Sequence, residues 1–243
     1  MIISLLKELE TENIIEEDKY QYNGVNVPRV NTILSSMLHE ESLMNWSNYL
    51  GLCKRTRYSS YMETAANVGT DAHNFIEEYI KTNKSYFERK DNLNRDMQKV
   101  KHCVESFILW YNKIRENNQI EIIGMENALV CPWFGGTYDL LIKINGQVYL
   151  TDFKTSNHVG YRYFLQLSAY RYMLENYYNI HIDGAIILQV DKFEDAFEEY
   201  TLTFNDSNHL NFINDCEQCF LSLVYAYYNR LKVENEFDII FKG

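Results

Sequence analysis

Asp152 and Lys154 stand two residues apart in the stretch VYLTDFKTS, at the end of a run (Val148, Tyr149, Leu150) that reads as a buried strand. Residues i and i+2 of a strand project to the same side, so the acid and the base share a face. Asp139 sits in the middle of the preceding strand-like segment, GGTYDLLIKI, after Gly135-Gly136, where backbone can approach a ligand closely. Between the two segments, Asn145-Gly146 is a two-residue hairpin signal. It makes the strands neighbours, and pairing across it can bring Asp139 and Asp152 together. Two carboxylates at one point repel unless one is protonated or a cation joins them. A hard divalent ion with oxygen ligands is the natural resolution. A lysine beside such a site can hold or polarise a metal-bound water and stabilise the charge on a phosphorane-like transition state. The arrangement suits phosphodiester hydrolysis. Taken alone, Asp152 and Lys154 are more often a buried salt bridge, but that account leaves Asp139 unexplained.

The elements that must position these residues follow from periodicity. The opening MIISLLKELETEN reads as a short amphipathic helix, and KYQYNGVNVPRV as a hairpin about Asn23-Gly24. NTILSSMLHEESLMNWSNYL carries apolar residues at helical spacing, beginning with Ile33, Leu34, Met37 and Leu38. CKRTRYSSY reads as a basic, Tyr-bearing connection. A second helix is expected over ETAANVGTDAHNFIEEYIKTN, and a third over DMQKVKHCVESFILWYNKIREN, with Val100, Val104, Phe107, Ile108 and Tyr111 as its apolar stripe. The charged stretch 81–101 reads as an insertion or exposed connection. From Ile120 the period changes to that of strands: EIIGMENALV, GGTYDLLIKI and QVYLTDFKTS form a meander. A helix over YRYFLQLSAYRYMLENYYN follows, then strands GAIILQVD and EEYTLTF, and a final helix NHLNFINDCEQCFLSLVYAYYNRLKVEN.

Composition narrows the classes. The chain has 243 residues, 46% apolar, with only two Pro, enough for one large domain with a well-filled core. A formal net charge of −11 argues against a simple electrostatic nucleic-acid coat protein, although metal-binding acids and one local basic groove can coexist with it. Five cysteines and no signal-peptide pattern point to reduced thiols in an intracellular compartment. No run approaches the roughly 20 apolar residues that span a bilayer. A soluble, cytoplasmic protein with no membrane partner is expected (host cytoplasm if the source is viral, as Tyr- and Asn-rich composition hints). Basic residues for substrate binding must be local. Lys54, Arg55, Arg57 and Tyr58 are the best candidates, because guanidinium and aromatic faces suit backbone contacts and base stacking. Lys84, Arg89, Lys90, Arg95, Lys99 and Lys101 form a second group, weakened by interleaved acids.

The ordered set GGTYDLL, YLTDFKTS and QLSAY resembles the PD-(D/E)XK nuclease superfamily in its RecB-like exonuclease branch. In that branch the D-x-K strand precedes a helix carrying Gln-x-x-x-Tyr, matched by Gln166 and Tyr170. Upstream, a helical Gly-x-x-x-His motif followed by Glu is matched by Gly69, His73 and Glu77. VPRVNTIL is similar to the PSVTxIL start of phage and organellar members, with Arg29 and Asn31 in place of Ser and Thr. The similarity spans about residues 25 to 200.

The resemblance implies an α/β, restriction-endonuclease-like fold: a mixed central sheet flanked by helices. A helical part over residues 1–119 would carry the His motif and wall a channel, and 120–243 would form the nuclease core with the C-terminal helix, the two integrated as one domain. It implies Mg²⁺ or Mn²⁺ held by His73, Asp139, Asp152 and the Phe153 carbonyl, with Lys154 catalytic. Gln166 and Tyr170 would orient that lysine or contact the DNA backbone. Glu126 corresponds to an acid found on the preceding strand in many members, outside this main set. Some relatives carry a four-Cys iron–sulfur cluster; here Cys53 and Cys216-x-x-Cys219 leave one C-terminal ligand missing, so no cluster is expected. The implied activity is DNA exonuclease, on single strands or free ends, alongside replication or recombination proteins. A non-cleaving DNA-binding or assembly subunit and a structure-specific endonuclease are the alternatives.

Overall fold

The computed structural model describes residues 2–7, 9, 20–38, 57–87 and 93–242. Both Asn-Gly turns form. Asn23 and Gly24 have φ of 50° and 83°, Asn145 and Gly146 51° and 89°, the doubly positive geometry that Asn-Gly adopts at least cost. The first joins β1 (Tyr20–Tyr22) to β2 (Val25–Val27); the second joins β4 (Gly135–Ile144) to β5 (Gln147–Lys154).

One five-stranded sheet runs in the order β3-β4-β5-β6-β7, with β3 at Ile120–Val130, β6 at Gly184–Val190 and β7 at Phe197–Thr203. Only β5 and β6 pair in parallel; the other neighbours are antiparallel. A parallel pair needs a crossover, and α5 (Tyr161–Tyr177) supplies it. The result is the mixed sheet flanked by helices that the resemblance implied.

Side-chain alternation assigns the two faces. Leu141, Leu150, Ala185 and Ile187 join a core with α2 (Val30–Met37), α5 and α6 (Ser207–Phe241). Leu140, Ile142, Tyr149, Phe153, Ile186 and Leu188 join a second core with α3 (Tyr58–Thr82) and α4 (Arg95–Asn117). The cross-strand pairs agree: Leu141 faces Leu150, and Ile142 faces Tyr149. The helix α1 (Ile2–Lys7) buries Leu6 against the first core. Among the described residues no helix is long and apolar enough to cross a membrane.

Several helix boundaries differ from the sequence reading. The helix α3 begins at Tyr58, inside the segment read as a connection, because no Gly or Pro interrupts the chain between Arg57 and Glu63. Likewise 81–101 is not wholly a connection: Asn83 closes α3 in a left-handed conformation, and Asn94 caps α4, accepting from the backbone N–H groups of Asp96 and Met97. Val100 is already buried, and Trp110 adds to the α4 stripe with its indole N–H donating to Glu199 at 2.7 Å.

Candidate functional site

The hairpin turn fixes the register of β4 and β5. Leu140 faces Thr151, so one step on Asp139 comes opposite Asp152. On the other side of β4, Met125 faces Leu140 and Asn127 faces Tyr138, which sets Glu126 opposite Asp139. Three carboxylates thus lie in one row across three adjacent strands. Glu126 has φ of +49°, a left-handed conformation in mid-strand that costs a non-glycine residue about 1–2 kcal/mol. Strain of this kind persists where the surroundings over-determine it, often at functional sites.

The helix α3 brings His73 to the row. Gly69, one turn earlier, faces the chain leaving β5, where an added Cβ would make only ordinary contact with Thr155 Oγ1 at 3.5 Å. His73 Nδ1 lies 3.4 Å from Glu126 Oε1 and 3.5 Å from Asp139 Oδ1. Its Nε2 lies 3.3 Å from the Phe153 carbonyl oxygen, and the Phe153 N–H donates to Asp139 Oδ2 at 2.6 Å. His73, Glu126 and Asp139 each offer a ligand atom within 4.8 Å of the others. Burial works to lower the His73 pKa, but the Asp139 and Glu126 carboxylates outweigh it and push the imidazole up to about 9.

Asp152, on the same face as Asp139, pairs with the lysine. It is 1% exposed; its Oδ2 lies 2.6 Å from Lys154 Nζ, and its Oδ1 meets no hydrogen-bond donor among the described residues. Burial, opposed by Lys154 and helped by Asp139, raises its pKa to about 6. Burial would discharge Lys154, but Asp152 and Asp139 outweigh it and hold the ammonium above the ordinary lysine range. The helix α5 then fixes the lysine: Nζ donates to Gln166 Oε1 at 3.0 Å, and Gln166 Nε2 donates to Tyr170 Oη at 3.0 Å. The Tyr163 ring lies beneath the ammonium, 4.7 Å from its centroid. A side chain on Gly136 would run into the Tyr170 ring, so the second glycine of the Gly-Gly pair makes room for this relay.

These groups line one cavity of about 310 Å³. The donor set fits a hard divalent cation: an imidazole nitrogen, three carboxylates in a row, a backbone carbonyl, and a buried Asp152 oxygen without a donor. Of the residues singled out from sequence, His73, Asp139, Asp152, Phe153, Lys154, Gln166 and Tyr170 come together here. Glu77 turns instead to Lys81 along α3. Arg57 is exposed at the start of α3, while Lys54, Arg55, Cys53 and the Tyr58 side chain lie outside the described residues. Glu126 joins the centre, and Tyr20, Arg29, Asn31 and Thr137 line the same cavity. Arg29 and Asn31 drew notice only as departures from a motif; Tyr20 reaches Thr137 through a 2.7 Å hydroxyl pair that no local pattern signals.

A family model described as the PD-(D/E)XK nuclease superfamily matches residues 46–239. No curated protein matches the chain. One of the solved structures that match, SSO0001, is 12% identical, covers 63% of this chain and 74% of its own, and has a TM-score of 0.27, too low to carry any argument.

Proposed function

The chain belongs to the PD-(D/E)XK nuclease superfamily, and on that premise we propose that it is a Mg²⁺- or Mn²⁺-dependent deoxyribonuclease of the RecB-like kind, degrading DNA from its ends in recombination, repair or replication-end processing. The observation that carries the reading is the row Glu126, Asp139 and Asp152, flanked by His73 on one side and Lys154 on the other. A structural ion pair needs only Asp152 and Lys154; it does not need two further acids and a histidine at the same point.

His73, Glu126, Asp139, Asp152 and the Phe153 carbonyl would hold the cation. When bound, it supplies Lewis acidity to a phosphate oxygen and lowers the pKa of an attacking water. Lys154, kept charged by its two acids, points positive charge at the place where a pentacovalent phosphorus becomes more negative. Gln166 fixes the direction of that ammonium and Tyr170 fixes Gln166, so both are positioning residues. His73 must give up its proton to serve as a ligand, which ties metal binding to pH.

The test is cleavage of end-labelled linear DNA and of covalently closed circular DNA with Mg²⁺, Mn²⁺ or EDTA. Expected are metal-dependent loss of linear substrate, no cutting in EDTA, and an intact circle. A cut circle would establish an endonuclease instead. Metal-dependent DNA binding without any cleavage would establish a non-cutting subunit.

The strain at Glu126 gives a separate prediction. Above pH 9, where His73 has lost the proton that Glu126 helps to hold, Glu126→Gly releases the left-handed penalty and a carboxylate that faces Asp139, so the metal-free protein should melt higher, by about 1 kcal/mol of stability. Its melting point should then respond less to Mn²⁺ than the wild type's. Glu126→Gln separates the two effects, since it removes the charge and keeps the strain. Thermal melts with and without Mn²⁺ read both; a glycine variant that melts lower in EDTA at that pH would show that Glu126 is held there by packing.

A further inference from the structure

A second cavity, of about 400 Å³, opens beside the catalytic strand. It falls within the roughly 300–1,000 Å³ of small-ligand pockets. One wall is Thr155, Ser156 and Asn157, the chain that leaves Lys154; the other is the β6–β7 loop with Lys192 and Phe193. Topology dictates this proximity. Strands β5 and β6 are parallel with Lys154 beside Gln189, so the loop after β6 emerges at the same edge of the sheet as the catalytic lysine.

Phe193 at the loop tip is 64% exposed, yet the loop is tightly tied. Asp191 Oδ1 accepts from the backbone N–H groups of Phe193 at 2.6 Å and Glu194 at 3.1 Å. Ser106 on α4 donates to the Glu194 carbonyl and accepts from the Ala196 N–H at 3.0 Å. His102, one turn earlier on α4, pairs with Asp195 at 2.7 Å. A large apolar ring is therefore held in water by a pre-ordered frame, which lowers the entropy lost when something stacks on it. Lys192 also lines the cavity, half-buried and without an ion pair among the described residues. Burial holds it below the ordinary lysine range.

The carboxylates of the lining decide what fits. Asp191 is spent on the loop and Glu198 accepts from Tyr200 at 2.6 Å, but with Glu194 their negative charge still disfavours a phosphate in the cavity itself. A neutral aromatic ring suits it better, with Asn157 at its edge, while the Gln189 amide donates to the Ser156 carbonyl at 2.7 Å and the Ser156 hydroxyl to the His158 carbonyl at 3.0 Å.

Resting on the nuclease reading, we propose that this cavity is a base-binding subsite: an unpaired nucleobase of the substrate strand stacks on Phe193, and Lys192 meets the phosphate outside. Aromatic stacking of this kind is sequence-tolerant, because every base presents a π-face. The subsite would hold the strand beside the catalytic centre without reading its sequence.

Fluorescence anisotropy of a labelled oligothymidylate in EDTA, where no cleavage is expected, measures binding alone. Phe193→Leu should weaken binding roughly 5- to 150-fold, the range of one stacked base, and Phe193→Trp should restore it. Moving a single abasic site along the oligonucleotide should find one position that weakens the wild type but not the Leu variant. Equal affinities of wild type and Phe193→Leu, or the same abasic penalties in both, would overturn the subsite. Cleavage by the wild type, assayed separately, distinguishes the premises. If DNA is cut and Phe193→Leu binds normally, only the subsite falls; if DNA is neither bound nor cut, the nuclease reading falls and takes the subsite with it.

Discussion

Lys154→Met is expected to lower the rate of DNA cleavage by about 10²- to 10³-fold, the usual loss on removing one preorganised donor to a developing charge. The size of the loss matters less than where it falls. If the ammonium acts on the transition state, kcat drops while KM stays near its wild-type value. Methionine keeps most of the stem volume against Tyr163, so packing changes little. The partner acid is the complication. Asp152 is buried, and removing its cation would leave a bare charge there, so in the metal-free variant the carboxyl takes up a proton more readily than in the wild type. A bound divalent cation reverses that, because it replaces the lost positive charge. Metal affinity should therefore hold or tighten in Lys154→Met, measured by titration calorimetry with Mn²⁺. A lysine that served only as counter-ion predicts another pattern: lower stability, restored by metal, with kcat close to normal in the folded, metal-loaded protein. Unchanged kcat would sink the catalytic assignment.

What the sequence makes visible here is whatever local chemistry controls. Asn145-Gly146 dictates a two-residue turn, and a two-residue turn dictates register, so the meeting of Asp139 and Asp152 follows from six residues on either side of it. The i, i+4 spacing of Gln166 and Tyr170 places them on one face of a helix, and their hydrogen bond follows from that spacing. His73 is different. Nothing in its own surroundings says that α3 passes the C-terminal end of β5; only the resemblance of Gly69-x-x-x-His73 to a known motif pointed there, and the contacts to Glu126, Asp139 and Phe153 span 53 to 80 residues.

Glu126, noticed only through the resemblance and set outside the main group, shows why the rest was hard to read from the residues themselves. Counting outward from Val130 facing Gly135 reaches Glu126 opposite Asp139 without a break, since the register shift lies beyond it, between Ile122 and Gly124; the connection 131–134 that starts the count carries no Asn-Gly signal. The left-handed Glu126 also departs from the alternation on which strand patterns rest. A position that violates local preference is invisible to a method built on local preference, and such positions gather at sites that do chemistry. The β6–β7 loop is hidden for another reason: His102–Asp195 and the Ser106 bonds join it to a helix some 90 residues away, through polar side chains that look ordinary where they stand.

The metal-free protein is expected to lose stability as the pH rises from about 6.5 to about 9, and divalent cation should abolish the loss. His73 has its folded pKa at about 9 against an unfolded value of 6.5, so across that window the folded chain holds a proton that the unfolded chain has released. Stability then falls with pH. The contribution is fully present below pH 6.5 and gone above pH 9, at most about 3 kcal/mol at 1.36 kcal/mol per pH unit. Asp152, raised to about 6 from 3.8, acts with the same sign at lower pH: its folded carboxyl keeps a proton between those values that the unfolded chain does not. Cation and proton compete for the same lone pairs, since a ligand histidine must be neutral. Raising the pH therefore strengthens metal binding while it weakens the empty site, and the gap between melting curves with and without Mn²⁺ should widen steadily from pH 6.5 to 9. His73→Gln should flatten the metal-free curve and shrink the gap. Calorimetric titration in buffers of different ionisation enthalpy gives an independent count, with close to one proton released per Mn²⁺ bound near pH 7.5. A metal-free melting point that stays level or climbs across the window would mean that His73 is not held protonated by Asp139 and Glu126, and the charge balance of the site would have to be redrawn around a neutral imidazole.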